Sequence, residues 1–198
     1  MSLLPFLAFT FAAVALLGSP GPGITALVAV GRARGVAGGI GFYGALQGGL
    51  AIAAALSAFG LASTLQGAPA VRLILTAVAT AYLLWLAWSI ASAPVGDAIG
   101  DGQSGALSGR TGFMLGIANP KAYIAFASLM GSFELLQNPR ASAVAEWTVC
   151  VAVMLIVDLA WLWAGAAIGS IKLGRRRERM MNVAMGLAIV AACAASFI

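Results

Sequence analysis

Histidine is absent from this chain of 198 residues, and cysteine occurs only twice. Without imidazole the commonest zinc and nickel ligand is missing, and so is the usual base for a serine nucleophile. That excludes an intramembrane protease of the Ser-His kind. Cys150 and Cys193 each lie inside an apolar run and form no Cys-x-x-Cys pair, so a membrane thiol carrier is excluded as well. Acidic residues number six and never cluster, which removes the carboxylate cage a metal exporter needs. Charged residues of all kinds make up 9%, against about 25% in soluble domains. The polar coat of a water-soluble protein is missing.

Hydrophobic residues, in contrast, reach 62%. That is about 123 residues, enough for six membrane-crossing helices at about 20 residues each, with little left over. The apolar runs fall at roughly 3–30, 38–61, 71–91, 112–132, 145–168 and 180–198. They are long and unbroken, unlike the short alternating strands of a membrane barrel. The expected fold is therefore an all-α integral membrane protein with six transmembrane helices and no second domain. The first run has a signal peptide's length but no basic residues before it, and apolar character resumes at Ile24, so it reads as a retained span.

The net charge is +5, and five of the eleven basic residues lie between Lys172 and Arg179. A loop beside anionic headgroups accounts for that cluster, and no nucleic-acid partner is needed. The loops after the first, third and fifth runs hold Arg32, Arg34, Arg110, Lys172, Arg175, Arg176, Arg177 and Arg179, whereas the other side holds Arg72 and Arg140. The positive-inside rule puts the first set in the cytoplasm and both termini outside. The longest loop, Pro94 to Gly109, is rich in Gly and Ser and carries Asp97 and Asp101. It divides the chain into one repeat at about 3–91, a connection at about 92–111 and a second repeat at about 112–198. Three spans in each half require the two repeats to be inverted.

The first span of each half carries a helix breaker: Ser19-Pro20-Gly21-Pro22-Gly23 in one, Ala118-Asn119-Pro120-Lys121 in the other. Proline removes a backbone donor and clashes with the preceding turn. Broken helices at matching positions of two inverted halves point to a central transport site, although a single proline kink is commonplace. Two charges lie near mid-span, Lys121 in the fourth run and Asp158 in the fifth. A charge at that depth costs about 2.5–3.5 kcal/mol on insertion scales, so the two are expected to pair across adjacent spans. Asp158 can be filled and emptied with a proton, which makes it the candidate for proton coupling.

Gln47 and Tyr43, in the second span, can hydrogen-bond across helices, as packing glue or as ligands. The pairs Gly35/Gly39, Gly44/Gly48 and Gly112/Gly116 have the spacing of close helix packing. Tyr82, Trp85, Trp88, Trp147, Trp161 and Trp163 read mostly as interfacial or lipid-facing. Glu134 and Glu146 read as charges of the outer loop between the fourth and fifth spans.

Ser-Pro-Gly-Pro-Gly at 19–23, then Gly31, Gly35 and Gly112, then Asn119-Pro120-Lys121-Ala122 resemble the lysine-exporter (LysE/RhtB) family of amino-acid efflux proteins. The resemblance covers essentially the whole chain. It implies export of amino acids or close derivatives from the cytoplasm across the bacterial inner membrane, driven by an ion gradient. It singles out Pro20, Gly21, Pro22, Asn119, Pro120 and Lys121 as substrate-site positions, beside Asp158 and Gln47 from the residues themselves.

In this reading the N–H groups after each break and Lys121 take a substrate carboxylate. The carbonyls before the breaks, with Asp158, take its ammonium group. The lack of a second buried carboxylate favours neutral over basic amino acids. No cofactor is called for, the partners are the substrate and the bilayer, and a homo-oligomer is left open. The rival readings are an intramembrane enzyme, for which an aspartyl protease would need a second carboxylate beside Asp158, and a non-catalytic scaffold.

Overall fold

The computed structural model describes residues 3–58, 107–170 and 174–195, with individual positions between 77 and 92. Most of the third expected span, with Arg72 and Tyr82, lies outside the described residues, as do Lys172 and the loop acids Asp97 and Asp101. Everything regular that is described is helical: α1 (Leu3–Leu17), α2 (Pro22–Ala58), α3 (Gly109–Ile117), α4 (Pro120–Ser132), α5 (Pro139–Gly169) and α6 (Arg175–Ala195). Helices α2 and α5 are long and apolar enough to cross a membrane, and α3 with α4, bent by 46° at their break, is together apolar enough for either a broken span or a re-entrant loop. Large apolar side chains face outward on α1 and α5, Phe11 at 76% exposure and Ile156 at 71% among them. A surface of that kind suits lipid and not water.

Local sequence explains the helix ends. Ser108 caps α3 by accepting from the Thr111 N–H. Asn119 caps α4 and Asn138 caps α5, each followed by proline at the first helical position, where its missing N–H breaks no helical bond. The Asn-Pro pair thus starts a helix twice, and α5 begins several residues before the hydropathy run at 145. Helix α6 likewise begins at Arg175, so part of the basic stretch read as loop is the first turn of the last helix.

The first two spans are joined more tightly than their apolar runs suggest. Helix α2 contains one residue outside helical geometry, Gly35, at φ 66° and ψ −178°, a region in which only glycine is unstrained. Gly31 and Gly39, on either side of it, both pack against Leu162 of α5, so the chain folds back at Gly35. The limb 22–34 continues the path of α1 beyond the break, and the limb 36–58 returns, roughly 34 Å long at about 1.5 Å per residue. Gly35 is thus the turn between two helical limbs, and no atom beyond its own stretch of chain lies within 4 Å of where its Cβ would stand, so it is not half of a packing pair with Gly39.

The returning limb packs on α5 and on α3. At its crossing with α3 the backbones touch: a Cβ on Gly49 would lie 3.0 Å from the Gly116 Cα and 2.8 Å from the Ile117 nitrogen. Gly112 and Gly116 therefore pack as their spacing suggests, both against the returning limb: Gly112 on Phe42 and Leu46, Gly116 on Leu46, Leu50 and Gly49. Gly44 faces open space and Gly48 makes only ordinary contact with Phe113.

Basic residues gather at one end of the molecule. Arg34 donates from Nη1 to the Leu107 carbonyl at 2.8 Å, Arg32 donates to Asn182 of α6, and Arg179 donates to the Ala91 carbonyl at 3.2 Å. The last turn of α5 sits beside Arg32 through Gly169. Arg140, at the first turn of α5, marks the opposite end.

Candidate functional site at two facing helix breaks

Two breaks interrupt the helices, one between α1 and α2 and one between α3 and α4, and they meet. A Cβ on Gly21 would lie 2.7 Å from Lys121 Cδ and 3.1 Å from Nζ, and one on Gly23 would lie 3.5 Å from Asn119 Nδ2. Between them and α5 lies a cavity of about 410 Å³ including its open mouth, lined by Ser19, Gly21, Gly23, Ile24, Asn119, Lys121 and Asp158. Its remaining wall includes Leu50, Ala125, Phe126 and Met154, all on the Arg140 side of the breaks. On the Arg34 side the bundle is closed by the fully buried Leu27, Leu115 and Leu162.

Proline at 20 and 22 leaves the carbonyls before α2 without helical donors, and in hydrocarbon they must be satisfied from elsewhere. Trp161 Nε1 donates to the Gly18 carbonyl at 3.2 Å. Lys121 Nζ donates to the Ser19 carbonyl, to Ser19 Oγ at 2.7 Å and to the Pro20 carbonyl at 2.9 Å. Thr25 donates from both its backbone nitrogen and Oγ1 to the Gly21 carbonyl, each at 2.9 Å. Every carbonyl from Gly18 to Gly21 already accepts a hydrogen bond from within the chain, so at the first break none of them stands bare toward a ligand's ammonium group.

The expected ion pair between Lys121 and Asp158 is corrected. An ammonium has three donors, and Lys121 directs all of them at the first break, because bare carbonyls close at hand compete successfully for it. Asp158, only 5% exposed, accepts instead from Gln47 Nε2 at 2.7 Å. The two charges face one cavity from different walls, each held by neutral partners. Tyr43, one turn from Gln47, donates to the Leu155 carbonyl at 2.7 Å, which fastens the same two helices.

Of the positions read from the sequence, Gly21, Asn119, Lys121 and Asp158 line the cavity. Gln47 stands behind Asp158. Pro22 is buried in the first turn of α2, Pro120 opens α4, and Pro20 is exposed, so the prolines act through the backbone. Sequence reasoning missed two members. Trp161, read as interfacial, holds the first break, and its place one helical turn after Asp158 was the available signal. Ser19 was quoted only within its motif, yet it supplies two of the three acceptors for Lys121.

Glu146 is no loop charge. It is buried at 4% exposure and accepts from Ser142 Oγ at 2.6 Å, while Ser142 Oγ accepts the Leu135 and Leu136 N–H groups at 2.8 and 3.2 Å. A second buried carboxylate therefore exists, but it lies about 18 Å along α5 from Asp158 at about 1.5 Å per residue and does not line the cavity. Glu134 is exposed, as expected of a loop charge. Trp147 turns its Nε1 inward to the Ala51 carbonyl at 2.9 Å, whereas Trp88 and Trp163 are largely exposed. No group of three or more metal-ligating side chains occurs among the described residues.

A model of the LysE type translocator family matches residues 14–197. The chain belongs to that family. Both helix breaks and all four cavity-lining positions named from the sequence fall within the matched stretch. The cysteine/O-acetylserine efflux proteins of Escherichia coli strain K12 and Shigella sonnei strain Ss046 are each similar to this LysE-type chain at 30% identity over 128 residues. That alignment covers 62% of this chain and 61% of each relative, so the chain spans less than two thirds of the length of the curated relatives it matches. No solved structure matches it significantly.

Proposed function

We propose that this chain is a secondary transporter that exports neutral, zwitterionic amino acids from the cytoplasm across the bacterial inner membrane, driven by the proton gradient. The observation that carries the reading is the meeting of the two breaks at a cavity with Lys121 on one wall and Asp158 on another. The first N–H groups of α2 and α4 have no intrahelical partner, and Gly23, Ile24 and Lys121 bring them to the cavity. Together with the helix dipoles they suit a carboxylate. Lys121 adds positive potential there while its own donors stay on the Ser19 and Pro20 oxygens. Asp158, with no cation bound to it, takes the ammonium group.

Among the described residues one carboxylate, Asp158, serves the cavity, since Glu146 is engaged elsewhere, and this favours substrates with no second positive charge. The substrates after which those relatives are named, cysteine and O-acetylserine, are both neutral amino acids. The same separation counts against an aspartyl protease, which needs two carboxylates sharing a proton. With the basic end in the cytoplasm and both termini outside, the cavity lies on the external side of the breaks and the leucine layer closes the internal side. Rocking of two inverted three-helix repeats about the breaks would alternate that access, with Asp158 carrying a proton inward on the return.

Inside-out membrane vesicles supplied with labelled cysteine or O-acetylserine test this. Uptake that needs an acidic lumen, and that is absent from vesicles lacking the protein, is expected. Equal uptake in both vesicle sets, for these and for a panel of other amino acids, would overturn the reading.

A further inference from the structure

Gln47 is 7% exposed, and its amide is only half used: Nε2 donates to Asp158 Oδ2 at 2.7 Å, while Oε1 has no partner among the described residues. A buried amide oxygen without a donor is destabilising, and a packing residue chosen only to join α2 to α5 has no need of one. A primary amide carries a donor and an acceptor on opposite sides of one rotatable bond. Half a turn about that bond exchanges them at nearly constant shape. An ionised carboxylate can only accept and is therefore served by Nε2, as here. A protonated carboxyl group also has an O–H to donate, and Oε1 is the acceptor it would find after the half turn.

We propose that Gln47 is the positioning residue that lets Asp158 exist in both protonation states inside the bundle, its amide turning over each time the proton arrives or leaves. The proposal rests on Asp158 being the proton carrier of the transport reading. The proton itself passes between the Asp158 carboxyl group and water in the cavity that Asp158 lines, and no covalent bond other than O–H changes. Among the described residues, the titratable or charged groups that face Asp158 are Lys121 from α4 and Tyr43 from α2. Helix α1 offers none, being uncharged throughout. Lys121 has its three donors on Ser19 and Pro20, and Tyr43 has its hydroxyl on the Leu155 carbonyl. Neither can take the place of the Gln47 amide, which is the hydrogen-bond partner of the carboxylate.

The test is infrared difference spectroscopy of the full chain in lipid vesicles, acidic minus alkaline buffer. Protonation should produce a carboxylic-acid carbonyl band that is missing from Asp158→Asn. It should be accompanied by a side-chain amide carbonyl change that is missing from Asp158→Asn and from Gln47→Met, a variant of similar length with no hydrogen bond to offer. In transport, Gln47→Met should lose about tenfold or more in proton-driven accumulation, the size of effect one buried charge-assisted hydrogen bond can carry. Exchange of labelled for unlabelled substrate, in which Asp158 is always met by an ammonium group, should fall by a clearly smaller factor than accumulation does. A carboxyl band without any amide change would overturn the role given to Gln47 and leave Asp158 as carrier. Absence of both bands would overturn the carrier along with it. The spectra of the parent and Asp158→Asn decide the matter even if Gln47→Met fails to insert.

Discussion

Lys121 reaches from the first turn of α4 to the oxygens of Ser19, and through them it joins the two helix breaks. A lysine in hydrocarbon with its three donors on neutral oxygens is a pin as much as a charge. Gly21 makes room for it, since any Cβ there would meet the lysine stem at 2.7 Å. Gly21→Ala is expected to push Lys121 off the break and to lower both accumulation and exchange, as Lys121→Ala should. The alanine at 121 leaves the Ser19 and Pro20 carbonyls without donors, at about 1–3 kcal/mol for each buried orphan. Parental exchange rates in vesicles bearing Gly21→Ala would show that the pin is dispensable.

Pro22 and Pro120 stand at the first helical positions of α2 and α4, where neither could have donated a helical bond in any case. Alanine at either site restores an N–H within reach of the preceding turn and so lets the helix run on across the break. Pro22→Ala and Pro120→Ala should insert normally and export more slowly, as seen by comparing membrane content with efflux of labelled substrate. Equal efflux in both variants would reduce the breaks to kinks.

Much of this arrangement was legible because each feature violates a rule of membrane helices. Prolines inside apolar runs, a lysine and an aspartate at mid-span and a glutamine beside them are all disfavoured unless they have work to do. The partners were less legible. Lys121 and Asp158 look like a pair on charge alone, but the break next to Lys121 creates carbonyls whose need for donors is as acute as that of a carboxylate, and they are nearer. Glu146 was misjudged because hydropathy started the fifth span at 145, whereas Asn138-Pro139 had already capped the helix and carried Glu146 two turns inside it. Gly35 was masked by its spacing from Gly39, since nothing in the sequence separates a packing glycine from one that must turn the chain.

The crossing of α2 and α3 should tolerate no side chain. Gly49→Val or Gly116→Val forces backbones apart that now touch, and overpacking of this kind costs about 1–3 kcal/mol or more. Thermal unfolding in detergent should show a clearly lowered midpoint for either variant, with Gly44→Val, which faces open space, close to the parent. A Gly49→Val protein as stable as the parent would mean that the two helices do not approach so closely.

Orientation follows from the basic end. Single cysteines at Arg34 and at Arg140, in a chain with Cys150 and Cys193 replaced, should react differently with an impermeant thiol reagent applied to intact cells. The position 140 cysteine should be labelled and the position 34 cysteine protected until the membrane is opened. Labelling of position 34 from outside would invert the topology and turn the cavity toward the cytoplasm.

Asp158 provides the sharpest test of energy coupling. The carboxylate sits 5% exposed on the cavity wall, bonded to Gln47 and not to a cation, so it can be neutralised either by a proton or by a substrate ammonium group, but not by both. That exclusion is what couples the two in opposite directions: substrate leaves only when a proton can replace it on the return. Asp158→Asn keeps the shape and a hydrogen bond to Gln47 while removing the titration. It should abolish accumulation driven by an imposed pH gradient, a loss on the order of tenfold or more, since the driving force itself is uncoupled. Exchange of labelled for unlabelled substrate should persist at reduced affinity, because it moves no net proton and loses only the charge on the ammonium's partner. If Asp158→Asn still accumulates substrate at the parental level under a proton gradient, the coupled ion binds elsewhere, and Glu146, the other buried carboxylate on α5, becomes the group to replace next.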